Sequence, residues 1–223
     1  MEKKRILLLN GSPRKKGTSF SFARTIKILA ENKGCQADII HILDYFDGRE
    51  DINSLKELME QADILAVSAP LYADTLPYAD IWFLERLAAL YGKELQGKGF
   101  FAVGQCGFPD ITRIEPLLEC CKYFAQETGM NWMGGLAYGG GGMIDGKHME
   151  ELGKKGERIT EGFRLALDNV MRGDKIPVEA QELLNFRIPR LLFGLLAAFL
   201  NSKAGKLAKE SGNPDYGRKV YLG

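Results

Sequence analysis

The side chains with most chemistry to offer arrive together. After the apolar run ILLL, residues 6–9, the chain reads NGSPRKKGTS, residues 10–19. Gly11 permits a sharp turn, and Ser12, Thr18 and Ser19 bring hydroxyl donors. Arg14 adds a planar cationic fork suited to an anion, with Lys15 and Lys16 beside it. If a helix follows, its first N–H groups lack intrahelical partners and its dipole favours negative charge. Such a loop suits a phosphate. It is neither GxxxxGK[ST] nor GxGxxG, so a phosphate monoester fits better than a pyrophosphate. The bland alternative makes Thr18 or Ser19 an ordinary N-cap, and capping and phosphate binding are compatible.

Three further loops have a similar composition: APLYADTLP (69–77), QCGFPDITR (105–113) and GGGGMIDG (139–146). Each follows an apolar run. Residues 5–9, 37–43, 63–68, 99–104 and 131–138 read as strands, and 21–32, 54–61 and 78–91 as helices. A fourth long helix carries Ile114, Leu117, Leu118, Cys121 and Ala125, and a fifth carries Ile159, Phe163, Leu167, Val170 and Met171. Strands alternating with helices predict a five-stranded parallel α/β sheet, doubly wound, with helices on both faces. In such sheets ligands bind beyond the carboxyl ends of the strands, which is where these loops fall.

GSPRKKGTS after the first strand, PLYADTLP after the third and QCGFP after the fourth resemble the NADPH-dependent FMN reductase family, over roughly residues 5–170. The resemblance implies a flavodoxin-like fold. It implies that Ser12, Arg14, Thr18 and Ser19 hold the FMN phosphate. Pro70, Leu71 and Tyr72 would line the isoalloxazine, largely through backbone, and Gln105, Cys106 and Gly107 would approach it from the next loop. The family often has Asn-Thr where this chain has Thr18-Ser19, a conservative departure that leaves two hydroxyl donors here. No compact cysteine cluster is present, so no iron–sulfur centre is expected. The implied activity is an FMN-dependent oxidoreductase that takes hydride from NAD(P)H. Its electrons would pass to a quinone, a nitro compound, a flavin or a redox protein. The alternative is a flavodoxin-like FMN electron-transfer protein without nicotinamide reactivity. Hydride transfer between stacked rings needs no protein nucleophile, so no catalytic residue is assigned and no metal is expected. The resemblance also implies a homodimer with the site near its interface.

Composition limits the other classes. Of 223 residues, 45% are hydrophobic and 26% charged, an ordinary globular balance, and the net charge of +1 argues against nucleic acid. Cys35, Cys106, Cys120 and Cys121 show no metal spacing. The start of the sequence lacks the apolar core of an export signal, so a cytoplasmic protein with reduced thiols is expected. Gly173 and Pro177 mark a boundary, dividing an FMN-binding domain, 1–173, from a helical extension, 174–223. From Phe186 onward seven Lys/Arg face only Glu210 and Asp215, a net +5 that leaves −4 for the rest. Residues 189–201 (PRLLFGLLAAFLN) are apolar on every face, too short to span a bilayer and without the charged face of an interfacial helix. That pattern predicts packing on the domain or on a dimer partner rather than membrane contact.

Overall fold

The computed structural model describes residues 4–185 and, beyond them, only 198, 202, 205, 206 and 210. Five strands form one sheet: β1 (Arg5–Asn10), β2 (Gln36–His41), β3 (Ile64–Pro70), β4 (Gly99–Cys106) and β5 (Asn131–Gly139). Every pairing is parallel and the order is β2-β1-β3-β4-β5. This is the flavodoxin-like order, with its switch point between β1 and β3. The helices are α1 (Thr18–Asn32), α2 (Ile42–Phe46), α3 (Lys56–Gln61), α4 (Tyr78–Leu95), α5 (Glu115–Glu127), α6 (Lys154–Arg172) and α7 (Val178–Leu184).

The strands are apolar at successive positions because both faces are covered. Ile6 and Leu8 face a core with Phe22 and Ile26 of α1 and Phe163 and Leu167 of α6. Leu7 and Leu9 face the other core, with Phe83 and Leu87 of α4 and Leu117 and Cys121 of α5. Cys121 is wholly buried there, a packing residue.

Boundaries differ from the sequence-based ones in ways that bear on the site. The first helix starts at Thr18, not Ser21. The Thr18 hydroxyl bonds the carbonyl of Gly141 at 2.7 Å, and so does not compete with its own helix. β2 stops at His41, and Ile42 turns inward to start α2. β3 and β4 each run two residues further than expected, and Pro70 pairs with Gln105. Pro70 is tolerated because it is the last residue of its strand. Gln105 and Cys106 are therefore strand residues, held more rigidly than a loop would hold them.

Contacts divide the chain into Met1–Phe186 and Arg187–Gly223. The stretch after Gly173 starts on the first unit. The Ile176 N–H donates to the carbonyl of Met133 at 2.7 Å. The Gln181 amide both accepts from the Ala137 N–H (2.7 Å) and donates to the Ala137 carbonyl (2.9 Å). The open edge of β5 is thus partly covered by its own chain. In the second unit the described residues are helical. Apart from Ala198, residues 189–201 lie outside the described residues. Among the described residues no helix is long and apolar enough to cross a membrane.

Candidate functional site

The ends of β1, β3 and β4 converge on a cavity of about 170 Å³. It is lined by Ser12, Arg14 and Thr18, by Pro70, Leu71 and Tyr72, by Gln105, Cys106 and Gly107, and by Gly142. Nine of the ten residues singled out from sequence thus line one cavity. Ser19 does not line it. Ser19 is fully buried behind the wall, where its carbonyl accepts from the Ser68 hydroxyl (2.8 Å) and its own hydroxyl accepts from the Gln105 amide (3.4 Å).

The phosphate-type loop is held by backbone and side chain together. The Gly11 N–H reaches across to the carbonyl of Ser68 at 2.9 Å. Gly17 is the N-cap of α1; no side chain caps the helix, and its first turn carries no acidic residue. The N-cap alternative for Thr18 and Ser19 therefore does not hold, since both lie inside the helix. The helix leaves an uncapped, partly positive end directed at the cavity. Ser12 is 5% exposed and Arg14 projects into solvent, where its guanidinium meets Asp145 at 3.0 Å. Both members of that pair are more than half exposed, so an incoming anion can displace the aspartate at small cost.

The second wall is a tight turn. Tyr72 and Thr75 exchange both backbone hydrogen bonds, and Ala73 and Asp74 both adopt positive φ, 47° and 63°. This is a type I′ pattern, which glycine or asparagine ordinarily fills. Ala73 therefore carries backbone strain beside the cavity. The turn projects Tyr72, 48% exposed, while Pro70 is buried.

The third wall is rigid and neutral. The Leu71 N–H donates to the Gln105 carbonyl at 2.7 Å, tying β3 to β4 at the rim. The Cys106 thiol donates to the Phe108 carbonyl at 3.2 Å, and burial pushes its pKa up. It is a small buried side chain, not an ionised nucleophile. The β5 loop closes the fourth side. The Asp145 N–H donates to the Thr18 hydroxyl (3.2 Å), so Thr18 fastens that loop to α1. A Cβ on Gly141 would stand 2.0 Å from the Gln105 Oε1, so only glycine lets the loop lie this close.

Two supports escaped the sequence reading. Asn10 is fully buried and bridges β1 to the loop, and His41 stands beside it on β2. The signal for Asn10 was a polar residue closing the otherwise apolar run LLLN. A larger cleft, about 280 Å³, lies on α6 and is lined by Glu150, Glu157 and Glu161 with Arg164. Arg164 is already paired with Glu161. Carboxylates repel a phosphate and no strand end reaches this cleft, so it is not the functional candidate.

The family model described as NADPH-dependent FMN reductase matches residues 4–110, which span the first two walls and most of the third. Residues 4–110 are thus similar to the NADPH-dependent FMN reductase family. It is the family that the three motifs resemble, and its members are FMN-dependent oxidoreductases. The matched segment contains nine of the ten cavity-lining residues and stops short of the β5 loop with Gly142. Among solved structures, general stress protein 14 from Treponema denticola, in complex with FMN, has a TM-score of 0.53 at 15% identity. The alignment covers 74% of this chain and 98% of that one. A flavone reductase gives 0.53 at 13% identity, over 77% of this chain and 65% of that one. The Trp repressor binding protein of Bacillus subtilis gives 0.50 at 18% identity, over 63% and 90%. At these identities the likeness is one of fold. No curated protein matches the chain.

Proposed function

We propose that this protein binds FMN at the described cavity, accepts hydride from NAD(P)H and passes the electrons to a quinone, nitro compound, flavin or redox protein. The observation that carries the reading is the convergence of the α1 end with Ser12 and Arg14, the Pro70-Leu71-Tyr72 turn and the Gln105–Gly107 strand end around one cavity. The residues fit the group. The uncapped helix end and the readily released Arg14 fork suit a dianionic monoester. Among the described residues one such anion site lies at the strand ends, which favours FMN over FAD.

When bound, the flavin supplies the two-electron chemistry. The chain's part is binding, orientation and exclusion of water. Ser12 and Arg14 anchor the phosphate, while Thr18 holds the β5 loop beside it. Pro70 and Leu71 offer a flat backbone edge, and Tyr72 and Phe108, 48% and 64% exposed, leave an aromatic rim where a second planar molecule can stack. Cys106 adds neither charge nor thiolate. That open rim also supports a homodimer in which a second copy helps cover the site. Four free cysteines, three of them buried, suit the reducing cytoplasm.

The test is anaerobic mixing of the FMN-loaded protein with NADH or NADPH while the visible flavin band is followed. Bleaching at a rate above that of free FMN is the expected result. Bleaching by dithionite but by neither nicotinamide would refute the reductase reading and leave the electron-transfer alternative.

A further inference from the structure

His41 is absent from the cavity wall, yet the hydrogen bonds beneath the phosphate loop constrain its chemistry. Asn10 and His41 are paired across β1 and β2. The Asn10 side-chain oxygen accepts from the Ser12 N–H at 3.3 Å. Its side-chain nitrogen donates to the carbonyl of Lys15, also at 3.3 Å. These two contacts fix which way the amide points, because reversing it would set N–H against N–H and oxygen against oxygen. The same nitrogen lies 2.8 Å from Nδ1 of His41. A side-chain N–H₂ can only donate, so Nδ1 must accept, and the imidazole must be neutral with its proton on Nε2.

We propose that His41 is a positioning residue for the phosphate loop, and that it does this only in its neutral form. Protonation puts a hydrogen on Nδ1, facing the Asn10 N–H₂. The pair then repels, or Asn10 reverses and releases both Ser12 and Lys15. Either way the loop that carries Ser12 and Arg14 loses its support from below. The surroundings favour the neutral form. Phe20 of α1 packs against the ring at 5.5 Å, and burial, then the Lys15 charge, lower the His41 pKa. Asp44 of α2 opposes this, but its carboxylate is engaged by Lys15 at 2.5 Å and Arg49 at 3.0 Å. Arg24 of α1 sits over the far ring, Phe20. The folded pKa lies below the ordinary value, so the loop is fully supported above about pH 6.5 and loses support as pH falls through the folded value.

The inference rests on the FMN reading for its consequence, but its first test does not need the flavin. In the wild-type protein without flavin, the Ser12 amide resonance should titrate together with the His41 ring, and ¹⁵N shifts should show an unprotonated Nδ1 at pH 8. A protonated Nδ1 at pH 8, or a Ser12 amide indifferent to the His41 titration, overturns the proposal. The second test follows FMN affinity by fluorescence from pH 8 to pH 5 in the wild type, in His41→Asn and in His41→Leu. The Asn variant presents an oxygen near the Nδ1 position and cannot titrate, whereas Leu offers no acceptor. Wild-type affinity should fall roughly three- to tenfold more than that of the Asn variant, the size of one hydrogen bond. His41→Leu should bind more weakly than His41→Asn at pH 8. Identical pH curves for wild type and His41→Asn, or wild-type affinity that rises as pH falls, overturn the proposal. If no variant binds FMN at any pH, the cofactor reading is what has failed, and the Ser12 titration still decides the role of His41.

Discussion

Asp80 should destabilise this protein, and replacing it with leucine should raise stability. Asp80 lies in the first turn of α4 and is 1% exposed. Neither carboxyl oxygen has a hydrogen-bond partner. Burial raises its pKa well above the ordinary carboxylate value, which favours the protonated form. Leucine has the same branching and number of side-chain heavy atoms, so Asp80→Leu removes two unsatisfied oxygens with little change of shape. Relief of a buried unpaired polar group is worth about 1–3 kcal/mol. For a unit of this size each kcal/mol moves Tm by about 2–4 °C, which gives a rise of roughly 2–12 °C. The pH dependence carries the sign. In the unfolded chain the carboxyl ionises near pH 4, while in the folded chain it stays protonated to higher pH. The unfolded state therefore gains from deprotonation first, and wild-type stability falls as pH rises above about 4. The advantage of the leucine variant should grow from pH 4 to pH 7.5 in paired thermal melts. A variant no more stable than wild type at pH 7.5, or an advantage that does not grow with pH, refutes the argument. A companion change checks the packing. A Cβ on Gly11 would stand 2.0 Å from Oδ2 of Asp80, so Gly11→Ala should cost about 1–3 kcal/mol, and Asp80→Ala should relieve most of it.

Arg14→Ala should weaken FMN binding by about 1.5–3 kcal/mol through a lost charge-assisted contact, read by flavin fluorescence titration. Unchanged affinity would mean that the loop serves another anion or none. Iodoacetamide at pH 7.5 should modify the partly exposed Cys120 before Cys106: burial raises the pKa of both thiols, so access decides, and Cys106 is 4% exposed; peptide mass spectrometry gives the order. Gln181→Ala should cost about 1–3 kcal/mol and speed hydrogen exchange at the Ala137 amide, since both backbone groups of that residue lose their partner.

The cavity was readable in sequence because its parts obey local rules. Gly11, Pro70 and Gly107 stand at the ends of apolar runs, and the parallel topology brings such ends to one edge. The fold was readable for the same reason, since Leu7 and Leu8 are both apolar and point into opposite cores. The roles of single hydroxyls were not readable. Thr18 and Ser19 look equivalent in sequence, but a turn of 100° per residue aims one at the cavity and the β5 loop and buries the other against Ser68. The competitor for Arg14 was hidden too, because Asp145 lies 131 positions away and meets it only when β5 joins the sheet. Asp80 escaped notice because a carboxylate in a first helical turn looks like an ordinary favourable charge at the dipole's positive end. Only the Gly11 backbone packed against it reveals how deeply it is buried.

The segment after Gly173 does more than connect. By presenting an amide to both backbone groups of Ala137, Gln181 acts as a one-residue selvage on the last strand. Leu184 adds weight from above, seated so close to Gly162 of α6 that a Cβ there would be 2.2 Å from its Cδ1. A chain cut after Gly173 would unpick that border and leave a raw margin on β5, open to another strand. A cut after Phe186 keeps the border intact. The two truncations should thus part company in a centrifuge: the shorter sediments as aggregate, while the longer stays in the supernatant with its sheet closed to strand addition at Ala137.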